Sequence, residues 1–314
     1  MKYLLFFIIP ILTFISCDSN LNDNNKNEKV EAETMPKYTF TTFEQKISYC
    51  IGLDHGTSSR MFLNSENFIG KFNLKDVEKG MIDYLKGEDL RIMPFEVDSV
   101  LNLYLVENGQ VDSSVVSSSD GSFAYGISEA QVLVASLVSR GIDQTMVVDL
   151  LAAGIEDGME GHTPSVPLKD ARIEVVAYYS GINKDLGEQF LTQNLERDGI
   201  IVTESGLQYQ VFEKGNGLKP TGVDTVLVHY TGRFVDGREF ESTIPSMKPA
   251  KLTPIGLIPG FSEGLQLMHE GAKYRFFMPY QLAYGEKGST GIEPYSALVF
   301  DVELIKVTKF VPNY

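Results

Sequence analysis

The chain has 314 residues, 43% of them hydrophobic and 22% charged, which is enough apolar material for about two folded domains and excludes a wholly disordered chain. Its net charge is −15, and because residues 201–314 hold 11 basic against 12 acidic side chains, the first 200 residues carry −14 of it. An acidic first half argues against nucleic acid or an anionic membrane surface as partner, and it separates two halves with different jobs.

At the N-terminus, Lys2 is followed by YLLFFIIPILTFIS, an apolar run of signal-peptide length and too short for a comfortable transmembrane span. The run ends at Ser16–Cys17, and FISC resembles a bacterial lipoprotein processing box, with Phe14 where that box usually has Leu. The resemblance implies a signal peptide over residues 1–17 and a lipid on Cys17, the first residue of the mature chain. Residues 18–40 then read as a flexible tether, because DSNLNDNNKNEKVEAET has almost no large apolar side chain to bury. With Cys17 lipidated, only Cys50 remains, so no internal disulfide is possible and Cys50 is expected to be a small core residue.

From Thr42 to Gly199 the pattern is helical. The clearest helix is ISEAQVLVASLVSRG, where the spacing of Ser128 and Gln131 predicts a capping box and Gly141 a stop. A second helix is expected from about Thr145 to Met159. A third runs from near Leu168 towards Arg197, interrupted in its pattern by Gly181 and Gly187. An internal repeat underlies this region: Ser48, Gly52, Gly80, Asp83, Gly87 and Tyr104 recur 74 residues later as Ser122, Gly126, Gly154, Asp157, Gly161 and Tyr178, without a gap. The expected organisation is a first helical module over 41–109, a Ser-rich linker over 110–122, and a second module with a long connecting helix over 123–200.

Beyond Gly199 the pattern changes. Leu207–Phe212, Thr225–Tyr230, Lys273–Met278 and Leu298–Val307 are rich in alternating β-branched and aromatic residues bounded by Gly and Pro, and GFSEGLQLM reads as one short helix. The fold class is therefore α+β: an all-helical N-terminal region, then an antiparallel sheet on a single helix over 201–314. The four histidines are scattered without metal-ligand spacing, and there is no phosphate loop or G-x-S-x-G, so neither metal nor cofactor is called for.

Three blocks, VLVHYTGRFVDGREFES at 226–242, LAYGEKG at 282–288 and ALVFDVELI at 297–305, resemble in order and spacing the FKBP-type peptidyl-prolyl cis-trans isomerases. The likeness extends over about Val202–Val307. The preceding NKDLGEQFLTQN and GIIVTESGLQYQVFEKGNG are similar to the junction between helical and catalytic domains in Mip-like bacterial members, whose helical domain makes homodimers. The resemblance implies a sheet wrapped on one helix and a pocket for a proline ring. It places Tyr230, Phe240, Glu241, Ile258, Tyr284 and Phe300 in catalytic positions and Leu257, Phe261 and Ile292 in substrate-binding ones. Tyr284 would offer its hydroxyl, and Ile258 its backbone N–H, to the substrate carbonyl. Four departures stand out: Glu241 for the family's usual Asp, Phe261 for its Trp, Ala250 near a usual rim Phe, and a shortened loop at Lys287–Tyr295.

The resemblance further implies partners that are unfolded or partly folded proteins with Xaa-Pro bonds, a location in the cell envelope, and contact with the membrane through the lipid anchor only. The helical modules would either form a homodimer or pair with each other as a single-chain pseudo-dimer. The departures leave a second function open, a non-catalytic holdase that binds proline peptides in the same pocket.

Overall fold

The structure, a computed structural model, describes residues 36–106 and 110–311. The leader, Cys17 and most of the expected tether lie outside the described residues. Two compact units are present, the first ending at Ala177 and the second running from Tyr178.

The first unit is helical. Helices α1 (Phe43–Leu63), α2 (Leu74–Lys86) and α3 (Val97–Tyr104) lead into a short antiparallel hairpin, β1 (Leu105–Val106) with β2 (Gln110–Val111). Then come α4 (Ser118–Ser139), α5 (Val148–Glu160) and the start of α6 (Leu168–Asn194). Thr42, Asn73 and Ser117 cap α1, α2 and α4 by accepting backbone N–H groups, and Gly87 and Gly161 close α2 and α5 in the left-handed conformation. Cys50 is fully buried in α1, as its core reading required, and is a free thiol.

Helix α4 corrects two sequence expectations. It begins at Ser118, so Ser118–Ser122 of the expected linker are its first turn, and Ser128 lies in its interior rather than at its cap. The serines that suggested a linker serve the helix instead. The Ser117 hydroxyl accepts from the Asp120 N–H at 3.0 Å, and the Ser122 hydroxyl donates back to the Ser118 carbonyl while accepting from the Asn73 N–H. Gly141, at φ 67°, provides the expected stop.

Helix α6 is continuous through Gly181 and Gly187. The boundary between units falls inside it, at 177/178 and not at 200/201, because its second half packs on the sheet. Phe190 meets Phe277 with ring centroids 6.0 Å apart, and Gly187 backs onto Ala297, where an added Cβ would come within 2.9 Å of the alanine Cβ.

The second unit holds an antiparallel sheet of β3 (Ile200–Val202), β4 (Gln208–Lys214), β5 (Thr225–Phe234), β6 (Glu239–Ser242), β7 (Ala250–Leu252), β8 (Ala272–Met278) and β9 (Leu298–Thr308). The order is β3-β4-β8-β9-β5-β6, with β7 also on β5. One short helix, α7 (Pro259–Leu267), packs on this sheet, Gly264 lying against Phe276. Phe276 and Phe277 point to opposite faces by strand alternation, so the same strand serves α7 on one side and α6 on the other. This is the α+β arrangement expected from the sequence.

Candidate functional site

One face of the sheet and α7 bring four aromatic rings together. Tyr230 comes from β5, Phe240 from β6, Phe300 from β9 and Phe261 from the first turn of α7. Phe261 lies 5.6 Å from Tyr230 and 5.0 Å from Phe300 between ring centroids, and Phe300 lies 5.6 Å from Phe240. Phe261 and Phe300 are buried at the base, while Tyr230 and Phe240 are half-buried. These mostly edge-on and tilted contacts are the favoured ones for aromatic rings. The approach depends on Gly232, which pairs with Phe300 across the strands. A Cβ there would sit 2.5 Å from the Phe240 ring and 2.9 Å from that of Phe300.

Around this box, Leu257, Ile258 and Tyr284 pack half-buried against the same apolar core, which also contains buried Ile292. Ala250, half-buried on β7, borders it as well. Eight of the nine expected pocket residues thus share one cluster. The ninth, Glu241, is exposed on β6 and bonded to the Tyr230 hydroxyl. Burial chiefly, with the Glu241 carboxylate adding to it, raises both the Tyr230 and Tyr284 hydroxyl pKa values above the ordinary tyrosine value. Both therefore stay protonated donors well into the alkaline range.

Two donors at this site have no acceptor among the described residues. Pro259 at the first helical position holds Ile258 extended (φ −57°, ψ 144°), and the carbonyl of Ile258 accepts from Phe261 and Ser262 while its N–H has no protein partner. The Tyr284 hydroxyl likewise makes no protein hydrogen bond.

A polar network not foreseen from the sequence supports the loop that carries Ile292. Asn183 of α6 donates to Glu293 at 3.1 Å and to the Pro294 carbonyl at 3.1 Å. Glu293, buried, faces Arg238 at 3.5 Å, and Arg238 is held by Asp236 at 2.7 Å. The guanidinium also lies 4.6 Å from the centre of the Phe234 ring, which in turn packs against Phe240. Asp236–Gly237, in the turn between β5 and β6, is thus one end of a chain of contacts reaching from α6 to the wall of the box. Local sequence pattern carries no trace of a contact between residues 110 positions apart.

No helix among the described residues is long and apolar enough to cross a membrane. The site thus gathers four aromatic rings, two donors without an acceptor among the described residues, and one exposed carboxylate beside them.

Comparison with known proteins gives the same assignment. The family described as FKBP-type peptidyl-prolyl cis-trans isomerase matches residues 217–305, and the domain amino terminal to FKBP-type peptidyl-prolyl isomerase matches 118–211. The chain is 36% identical over 195 residues to the FKBP-type 22 kDa peptidyl-prolyl cis-trans isomerase of Escherichia coli (strain K12), covering 59% of this chain and 93% of that one. It is 39% identical over 186 residues to the outer membrane protein MIP of Legionella longbeachae, covering 54% and 79%. With the FKBP-type peptidyl-prolyl cis-trans isomerase FkpA of Aeromonas hydrophila it shares 47% identity over 127 residues, 40% of this chain and about half (47%) of that relative. The chain belongs to the FKBP-type peptidyl-prolyl cis-trans isomerases.

Proposed function

We propose that this protein accelerates rotation about Xaa-Pro bonds of unfolded or partly folded proteins outside the cytoplasm, tethered to the cell envelope by a lipid on Cys17. The observation that carries the reading is the aromatic box of Tyr230, Phe240, Phe261 and Phe300 beside two donors without protein acceptors. The name of the MIP relative as an outer membrane protein supports the location.

The bond to be turned has a barrier of about 18–20 kcal/mol, set by amide resonance. The planar amide is more dipolar than the twisted one, so seating the proline ring in a dry slot disfavours the ground state relative to the transition state. The Ile258 N–H and Tyr284 O–H then fix the carbonyl oxygens of the substrate, and each ~1.4 kcal/mol of differential stabilisation gives tenfold in rate. Leu257 and Ile292 line the slot, and Glu241 orients the Tyr230 hydroxyl at its rim. The reaction moves no proton and needs no cofactor.

The test is protease-free isomerisation of a labelled Xaa-Pro peptide by the whole protein and by Phe240→Ala. Catalysis that Phe240→Ala abolishes supports the assignment. A folded protein that does not catalyse, but suppresses aggregation of an unfolded client through the same residues, is a proline-binding holdase instead.

A further inference from the structure

The helical unit is built from two segments that exchange partners. At the 74-residue spacing, α2 (Leu74–Lys86) coincides with α5 (Val148–Glu160), α1 falls on the first part of α4, and α3 falls within α6. If each segment folded by itself, α1 would pack on α2 and α4 on α5. Instead α1 packs along α5 and α2 along α4, while α1 and α2 scarcely touch.

The contacts occur in matched pairs. A Cβ on Gly52 would lie 2.0 Å from the Leu151 carbonyl oxygen and 3.1 Å from the Ile155 nitrogen; one on Gly126 would lie 2.0 Å from Val77 O and 3.0 Å from Met81 N. Gly154 approaches Tyr49 and Leu53 as Gly80 approaches Phe123 and Ile127. The Ser48 hydroxyl accepts from the Val147 N–H at 2.9 Å, and the Ser122 hydroxyl from the Asn73 N–H at 2.9 Å. Every member of each pair is 74 residues from its counterpart, with the segments exchanged, which is the signature of a two-fold relation. His55 and its own counterpart Glu129 meet at 3.8 Å, as only residues on that axis can.

We infer that the two segments are copies of one self-complementary module, fused so that the surface each would offer to a second chain is filled within the same chain, and that the protein works as a monomer with one isomerase domain on a two-module base. Three features favour this pairing over like-with-like association between chains. On the axis, a second-with-second pairing would oppose two buried Glu129 carboxylates, and a first-with-first pairing two His55 rings, in place of an imidazole facing a carboxylate. Off the axis, Gly56 lies so close to Ile155 that a Cβ would be 2.5 Å from its carbonyl oxygen; its counterpart is Ala130, which would clash in a second-with-second pair. Gly158 leaves no room for a Cβ beside Leu53 and Thr57, and its counterpart is Tyr84, which would clash in a first-with-first pair.

On either side of the junction, described residues are tied to both copies. Tyr104, fully buried at the end of α3, donates its hydroxyl to the Lys71 carbonyl of the first segment and lays its ring on Gly121 of the second. The Asp112 N–H returns to the Tyr104 carbonyl at 2.8 Å.

The deciding experiment is sedimentation velocity of the full mature protein, with thermal unfolding across a wide range of dilution, on the native chain and on Gly126→Ala. The expected result is the mass of one chain and a midpoint that dilution leaves unchanged, lower in Gly126→Ala but equally concentration-independent. A two-chain mass, or a midpoint that falls on dilution, overturns the inference by placing the second module in another molecule. Should Gly126→Ala fail to fold, the native chain alone decides between these outcomes.

Discussion

Replacing Tyr284 by Phe isolates one hydroxyl. Tyr284 is half-buried against the pocket core, its hydroxyl has no protein acceptor among the described residues, and the ring that remains fills the same space. Folding should therefore be indifferent to the change, and the thermal midpoint is expected to stay where it is. Binding is different, because a substrate carbonyl held by that hydroxyl loses one neutral hydrogen bond, worth about 0.5–1.5 kcal/mol net. Converted to rate, that is roughly a 2- to 12-fold fall in kcat/KM. The assay is protease-free isomerisation of a labelled Xaa-Pro peptide at substrate concentrations well below KM. Tyr230→Phe is the contrast: its hydroxyl is already committed to Glu241, so its loss acts on the orientation of that carboxylate. An unchanged kcat/KM in a folded Tyr284→Phe protein would refute the assignment of the hydroxyl to the substrate.

Gly181→Ala is expected to stabilise α6 by about 0.8–1.0 kcal/mol, read as a rise in urea midpoint, because nothing stands within 4 Å of the added Cβ; Gly187→Ala gains nothing comparable, since its Cβ meets that of Ala297 at 2.9 Å. Burial, with Glu160 and Glu156 adding to it, holds the Glu78 carboxyl up at about 7 against 4.5 for the free group. Its unfolded form thus ionises first as pH rises between those values, and stability is lost across that window. Glu78→Gln should raise the thermal midpoint at about pH 8 and leave it unchanged at about pH 4. Tyr49 and Tyr125, buried beside Asp157 and Glu129, have pKa values raised above 10.0. Stability they contribute is present below that pH and declines above it, and alkaline unfolding followed by circular dichroism should begin later in Tyr125→Phe than in the native chain.

Much of the aromatic box was legible because strand alternation and the three family blocks fix which side chains share a face. Tyr230, Phe240 and Phe300 lie on neighbouring strands β5, β6 and β9, and the short helix after Pro259 delivers Phe261 beneath them. The helical half was legible in its spacing but not in its pairing. The register of Gly52 with Gly126 is the same whether α1 packs on α2 or on α5, so no local pattern distinguishes the exchanged arrangement. The start of α4 was hidden because Ser and Asp favour both linkers and helix caps, and only the position of Asn73 shows which use Ser122 serves. The Asn183–Glu293–Arg238 chain was invisible for a different reason: its members are brought together by the second half of α6 lying on the sheet, a tertiary fact with no periodic signature.

The meeting of His55 with Glu129 has a consequence for how such a protein can change. In a symmetric pair of identical chains, each altered codon is expressed on both sides, and a residue on the axis must be compatible with itself. Here the two sides are written separately, so one copy can carry a histidine where the other carries a glutamate, and a glycine where the other carries an alanine or a tyrosine. Each further substitution in this interface is tried against one fixed neighbour at a time. A duplicated gene segment can therefore explore combinations that identical subunits must forgo, including giving one arm an enzyme and leaving the other without.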